Sequence, residues 1–149
     1  MSSSRLLGPA EREALRCFAA SIDLGRVRIH SPGSLAARII GALSGGATVA
    51  LGYHIFAQEE LRLPTLAHEL LHVSQFEQWG AFRYLARGAW NQIMLRTVLR
   101  RDVYRYRPEP GKTFEDYGME QQGQIVQDCF DPRSPRRAEA MRLSRFTPR

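Results

Sequence analysis

Residues 66–75 read Leu-Ala-His-Glu-Leu-Leu-His-Val-Ser-Gln and sit inside a run with helical character. Leu63, Leu66, Ala67, Leu70, Leu71, Val73 and Phe76 are apolar on nearly every side of that helix, and Pro64 suits its first turn. A helix apolar all round belongs in a protein interior. His68, Glu69 and His72 would then be buried with it, and burying two imidazoles and a carboxylate without partners is costly. Four residues is just over one turn, so His68 and His72 project from the same face. Two imidazoles so placed can bind one Zn²⁺, with Glu69 beside the ion as a general base. Whatever else this chain does, it must fold so that these polar groups are satisfied inside its core.

A chain of 149 residues with 44% hydrophobic and 24% charged residues is long enough for one domain with a real core. No apolar run reaches the length of a membrane span. The first residues, Met1-Ser2-Ser3-Ser4-Arg5-Leu6-Leu7-Gly8-Pro9, lack the apolar stretch of a signal peptide, so synthesis as a cytoplasmic protein is expected, with any export by another route. Cys17 and Cys129 are far apart in sequence and lack metal-ligand spacing. One disulfide between them is conceivable, and buried free thiols fit a reducing compartment. The net charge of +6 raises the question of nucleic acid. However, the arginines pool at the C-terminal end, in Arg133, Arg136, Arg137, Arg142, Arg145 and Arg149, without interleaved aromatics or a recognition motif. A solvated basic tail over 131–149 is the expectation, with no nucleic-acid partner.

Along the chain, 9–22 has helical spacing, with Ala10, Leu15, Phe18, Ala19 and Ile22 in one stripe. Residues 27–30 alternate as a short strand closed by Ser31-Pro32-Gly33. Ser34 can cap a second helix through Ala36, Ile39, Ile40 and Leu43. A strand is predicted over 48–57, with Val49, Leu51, Tyr53 and Ile55 on one face and His54 on the other. The motif helix ends at Trp79-Gly80. A long helix is predicted from Ala81 to about Arg101, using Phe82, Leu85, Ala89, Ile93, Leu95, Val98 and Leu99. A further helix is predicted over 119–130. His30 reads as structural, as do Trp79 and Trp90. Glu115 and Asp116 complement a helix N-terminus.

A strand, a short link and a helix bearing His-Glu-x-x-His is the layout of zincin metallopeptidases. The segments Ile22-Asp23, Arg26-Val27-Arg28-Ile29-His30, Gly52-Tyr53-His54-Ile55-Phe56, Ala67 to Gln75, and Tyr117-Gly118-Met119-Glu120-Gln121-Gln122-Gly123-Gln124-Ile125-Val126 resemble a narrower group. These are the small zincin-like proteins encoded near bacterial contractile injection and type VI secretion systems. The resemblance spans residues 9–130. It implies a compact α+β domain, a small sheet packed on helices around the motif helix. It implies Zn²⁺ held by His68, His72 and a glutamate from a separate helix, since Gln75 and Gln78 stand where a third histidine would follow His72.

Glu120 is the preferred third ligand, with Glu115 and Asp116 as competitors. In a thermolysin-like site an aspartate one turn on supports the motif helix. Gln124 stands there, so support comes from elsewhere, with Asp128 a candidate. Zincins often place a donor near the oxyanion; Tyr104, Tyr106, Tyr117 and His54 are in question, Tyr117 first for its closeness to Glu120. The implied activity is peptide-bond hydrolysis with Glu69 as general base and a peptide or protein as substrate. The alternative is a zinc-bearing scaffold or adaptor of a secretion machine, without significant catalysis.

Overall fold

The computed structural model of the chain describes residues 4–91, 93 and 103–148. In chain order its elements are β1 (Ser4–Leu6), α1 (Pro9–Ala14), β2 (Arg28–His30), α2 (Leu35–Leu43), β3 (Val49–Leu51), β4 (His54–Phe56), α3 (Leu63–Trp79), α4 (Ala81–Ala89), α5 (Met119–Phe130) and α6 (Arg137–Leu143). Short 3-10 turns occupy Arg16–Phe18 and Phe114–Asp116. The expected α+β architecture is what forms. A four-stranded mixed sheet in the order β1-β2-β4-β3 packs against helices, with β2 and β4 parallel and the other two pairs antiparallel. The parallel pair needs a crossover, and α2 lies in it.

The motif helix α3 is central. Its residues from Leu66 to Gln75 are all buried. Leu66, Leu70, Leu71 and Val73 join Leu15, Phe18, Val27, Ile29 and Ile55 from the N-terminal half and Ile125, Val126 and Cys129 from α5 in one core. Among the described residues, α3 and α5 form the most extensive helix–helix contact. No helix among those residues is long and apolar enough to cross a membrane.

Several elements differ from their sequence-based expectation. The single strand over 48–57 is instead a hairpin, β3 and β4, with Leu51 opposite His54 and a two-residue turn at Gly52-Tyr53. Two-residue hairpin turns need positive φ at their first central residue, and Gly52 supplies it at 58°. The first helix stops at Ala14 and tightens into a 3-10 turn. Residues three apart eclipse in that geometry, and it brings Leu15 and Phe18 together into the core.

The helix α2 is capped as expected, Ser34 Oγ accepting from the Ala37 N–H at 3.2 Å. Its buried face, however, is Ala37 and Gly41, while Leu35, Ile39 and Leu43 are exposed. Small residues win here because the Gln58 side chain lies against the helix. It donates to Ala37 O at 2.8 Å and occupies the space a Cβ on Gly41 would need. In α4 the inversion recurs: Tyr84 is buried, whereas Phe82 and Leu85 face outward. Leu95, Val98 and Leu99 of the expected long helix lie outside the described residues.

The stretch 131–149, expected as a solvated tail, is folded onto the domain through residue 146. Helix α6 packs on α5, Ala140 is fully buried, and Phe146 stacks on Phe18 with ring centroids 4.4 Å apart at 9°. The arginines act as pins. Arg136 donates to Tyr106 O at 2.8 Å, Arg137 donates to Cys129 O at 3.1 Å, and Arg145 lies 3.6 Å from Glu115. At the other end β1 and the buried Leu7 precede residue 9, so the packed unit exceeds 9–130 on both sides. Phe146→Ala is expected to cost about 3–5 kcal/mol in urea unfolding, as for other buried aromatic truncations. A tail lying in solvent predicts a change under about 0.5 kcal/mol.

Candidate metal centre

Three side chains from two helices converge where α5 crosses α3. His68 and His72 project from one face of α3, and Glu120 from the first turn of α5. Glu120 Oε2 lies 3.5 Å from His68 Nε2 and 3.4 Å from His72 Nε2. One ligand atom from each residue falls within 4.8 Å of the others, so this buried group could hold a metal ion. The close crossing depends on Gly123. A Cβ built there would lie 2.6 Å from His68 Cε1 and Nε2, so only the glycine backbone leaves room for the imidazole.

A chain of amides orients His72, the second candidate ligand. The Tyr117 backbone carbonyl can only accept, so Gln122 turns its Nε2 toward it, at 3.0 Å. Gln122 Oε1 then accepts from Gln75 Nε2 at 2.9 Å, which leaves Gln75 Oε1 facing His72 Nδ1 at 2.8 Å. His72 Nδ1 must therefore carry a proton, and in the neutral ring the lone pair is on Nε2, on the side of Glu120.

The electrostatics want a cation. Burial disfavours the charged form of Glu120, but the nearby imidazoles of His72 and His68 override it and hold its carboxyl well below the usual range. Burial likewise lowers the His72 pKa. The Glu120 charge and hydrogen bond outweigh that, with help from Glu69 and Gln75, and the net shift is upward. Glu69 is 4% exposed, and desolvation dominates its upward shift; the two histidines oppose it and Glu120 adds to it. Among the described residues, Glu69 Oε2 and His68 Nδ1 are buried without a hydrogen-bond partner. Two imidazole nitrogens and a carboxylate oxygen, with the unpartnered Oε2 of Glu69 nearby, are a donor set that fits a divalent cation.

The other residues singled out from sequence fall elsewhere. Asp116 accepts from the Thr113 N–H and hydroxyl at 2.8 and 2.9 Å, and Glu115 is exposed; neither belongs to the ligand group. The Tyr117 hydroxyl donates to Arg107 O at 3.1 Å and accepts from the Glu109 N–H, so it anchors that loop. Tyr106 donates to Asp128 at 2.7 Å, and Asp128 also binds Ser134, which places it in the support of α5 and its exit loop. His54 is exposed and shares a 2.9 Å contact with His30. Cys17 and Cys129 are free thiols, and burial pushes that of Cys129 up to about 11.

Tyr104 is the member of its group that lies beside a ligand, its ring centroid 6.2 Å from that of His68. Tyr84, Gln122 and Gly123 were not singled out from sequence. The nearest signal was that Gln122 and Gly123 share the first turns of α5 with Glu120. A cleft of about 360 Å³ opens between α4 and the residues leading into α5, lined by Arg87, Trp90, Tyr117 and Met119 among others; His68, His72 and Glu120 do not line it.

Gly123→Ala separates propensity from packing. Alanine in an open helix position gains about 0.8–1 kcal/mol over glycine. Here its Cβ would displace His68, so metal affinity should fall by at least the 10–100-fold typical of disturbed ligand support. A competition titration against a chromophoric chelator reads this directly; unchanged affinity contradicts the geometry.

No family model matches the chain. Over 89 residues it is 43% identical to the type VI secretion system spike protein VgrG2b of Pseudomonas aeruginosa, a match covering 52% of this chain and 8% of that protein. Its structure is similar to the solved effector domain of Pseudomonas aeruginosa VgrG2b, with a TM-score of 0.69 and 31% identity over 96% of this chain and 83% of that one. The chain thus spans a small fraction of the spike protein and most of its solved effector domain, and it belongs to the family of the VgrG2b effector domain.

Proposed function

We propose that this chain is a zinc-dependent peptidase exported as an effector by a type VI secretion machine. The observation that carries the catalytic half is Glu69. It is buried against the three-residue ligand group, yet Oε2 is unpartnered among the described residues. A structural metal site needs ligands but no adjacent base. Three protein ligands also leave a coordination position for a reacting group. Similarity to the VgrG2b effector domain supports the export half.

His68, His72 and Glu120 would hold the ion, which supplies Lewis acidity toward a peptide carbonyl. Glu69 accepts the proton of the water that attacks that carbonyl and passes it to the departing amine. Burial raises the Glu69 carboxyl above its ordinary value, with His68 and His72 opposing the shift. Gln75 and Gln122 keep His72 in the ligating tautomer throughout. Burial of Glu69 and its neighbours keeps bulk water from competing for these charges.

A second reading, a metal-bearing adaptor without turnover, is favoured by one observation. The ligands are only 5–7% exposed, and the neighbouring cleft is not lined by them. The substitution Glu69→Gln distinguishes the two, because glutamine keeps the shape and cannot take a proton. The variant should retain its metal and lose peptide cleavage by about 10²–10⁴-fold, measured on unfolded protein substrates. Equal cleavage by both proteins contradicts the role of Glu69. If neither protein cleaves, while both support the same secretion phenotype, the adaptor reading stands.

A further inference from the structure

Surface helices of folded domains turn their apolar stripe inward and their polar side outward. The helix α4 does the reverse. Tyr84 is its one buried residue, and Gly88, one turn on, is partly covered. Gly80, at φ 78°, turns the chain directly from α3 into this helix, and the Tyr84 hydroxyl ties it to the sheet by donating to Ala50 O at 2.7 Å. Phe82, Leu85, Ala86 and Ala89 follow the i, i+3, i+4, i+7 spacing of a single face, and all of them are exposed, Phe82 to 85%. Trp90 and Ile93, at 55% and 59%, extend the same apolar ridge beyond the helix end.

The charge on α4 is of one sign. Arg83 and Arg87 are exposed on its flank. No Asp or Glu stands between Glu77 and Asp102, a stretch that also holds Arg96, Arg100 and Arg101. Trp90 comes three residues after Arg87 and seven after Arg83, which puts it on the arginine side of the ridge. Around the helix the order is therefore Phe and aliphatic residues, then Trp, then Arg, then the Tyr84 anchor. That is the order of depth in a bilayer interface: acyl chains, then the headgroup boundary that tryptophan favours, then phosphates. A second copy of the chain docked through this face would set arginines against arginines, with no carboxylate on either helix. An anionic bilayer supplies both the apolar medium and the opposite charge.

We propose that the outward face of α4 docks the protein on an anionic lipid bilayer, with Phe82, Leu85 and Trp90 seated beneath the headgroups and Arg83 and Arg87 on the lipid phosphates. The helix lies on the membrane and does not cross it, its 9 residues spanning about 14 Å. Arg87 and Trp90 also line the cleft before α5, so docking brings that cleft to the membrane surface. None of this depends on the peptidase reading.

Co-sedimentation of the full chain with vesicles tests it, using phosphatidylcholine alone and an equal mixture with phosphatidylglycerol. Wild type should bind the mixed vesicles at least about tenfold more strongly. Phe82→Ala/Leu85→Ala removes only exposed side chains, so it should keep the wild-type urea midpoint, yet lower binding to mixed vesicles by about tenfold or more. Arg83→Gln/Arg87→Gln should lower it about 30-fold. Arg133→Gln/Arg142→Gln removes the same charge at the far end of α5 and on α6, and should change binding by less than about twofold. No sedimentation of wild type with the mixed vesicles overturns the proposal. So does equal loss in the two arginine pairs, which marks adsorption by net charge, and so does undiminished binding by Phe82→Ala/Leu85→Ala. Wild-type dimers that dissociate in that variant, without vesicle binding, also overturn it and give the face to a second copy.

Discussion

Two imidazoles and two carboxylates lie buried where α3 crosses α5, and the architecture follows from keeping them together. Glu120 is within 3.5 Å of both imidazoles, and neither helix could carry its share alone. Removing one partner from a buried charged set typically costs about 3–5 kcal/mol, because the other is left uncompensated. The α3–α5 contact is therefore more than apolar packing. It requires Gly123 so that the helices approach closely, and it requires the Gln75–Gln122 pair so that His72 presents the correct nitrogen.

The remaining elements hold that crossing in place. The sheet backs α3 through Ile29, Ala50 and Ile55, while α6 and Phe146 brace α5 from the other side against Phe18. The arginine-rich C-terminal stretch contributes by capping carbonyls, Arg136 on Tyr106 and Arg137 on Cys129, and net charge alone does not reveal this. Tyr84 joins the sheet edge to the motif helix, donating to Ala50 O and packing edge-on against His72.

The motif helix and the projection of His68 and His72 from one of its faces were legible because their spacing matches the helical period and because the apolar flanks declared burial. Glu120 followed from the resemblance of its segment to a known group. Other features lay beyond sequence for identifiable reasons. The hairpin at Gly52 hid inside an alternation that continues across its turn. In α2 the larger apolar residues promised the core, yet Ala37 and Gly41 took it because Gln58 needed close approach. The tail looked polar because its core contacts are confined to Ala140 and Phe146 with Leu143 alongside. The direction of the amide chain is set by a backbone carbonyl, that of Tyr117, and no side-chain pattern records it.

His68, His72 and Glu120 are proposed to hold one zinc ion. Elemental analysis of protein purified with zinc supplementation tests it most directly, alongside Glu120→Ala and Glu115→Ala. Structural and catalytic sites of this donor type bind one ion, so about one zinc per chain is predicted for wild type and Glu115→Ala, with almost none in Glu120→Ala. A zinc-free wild type, or zinc retained in Glu120→Ala and lost in Glu115→Ala, would contradict it.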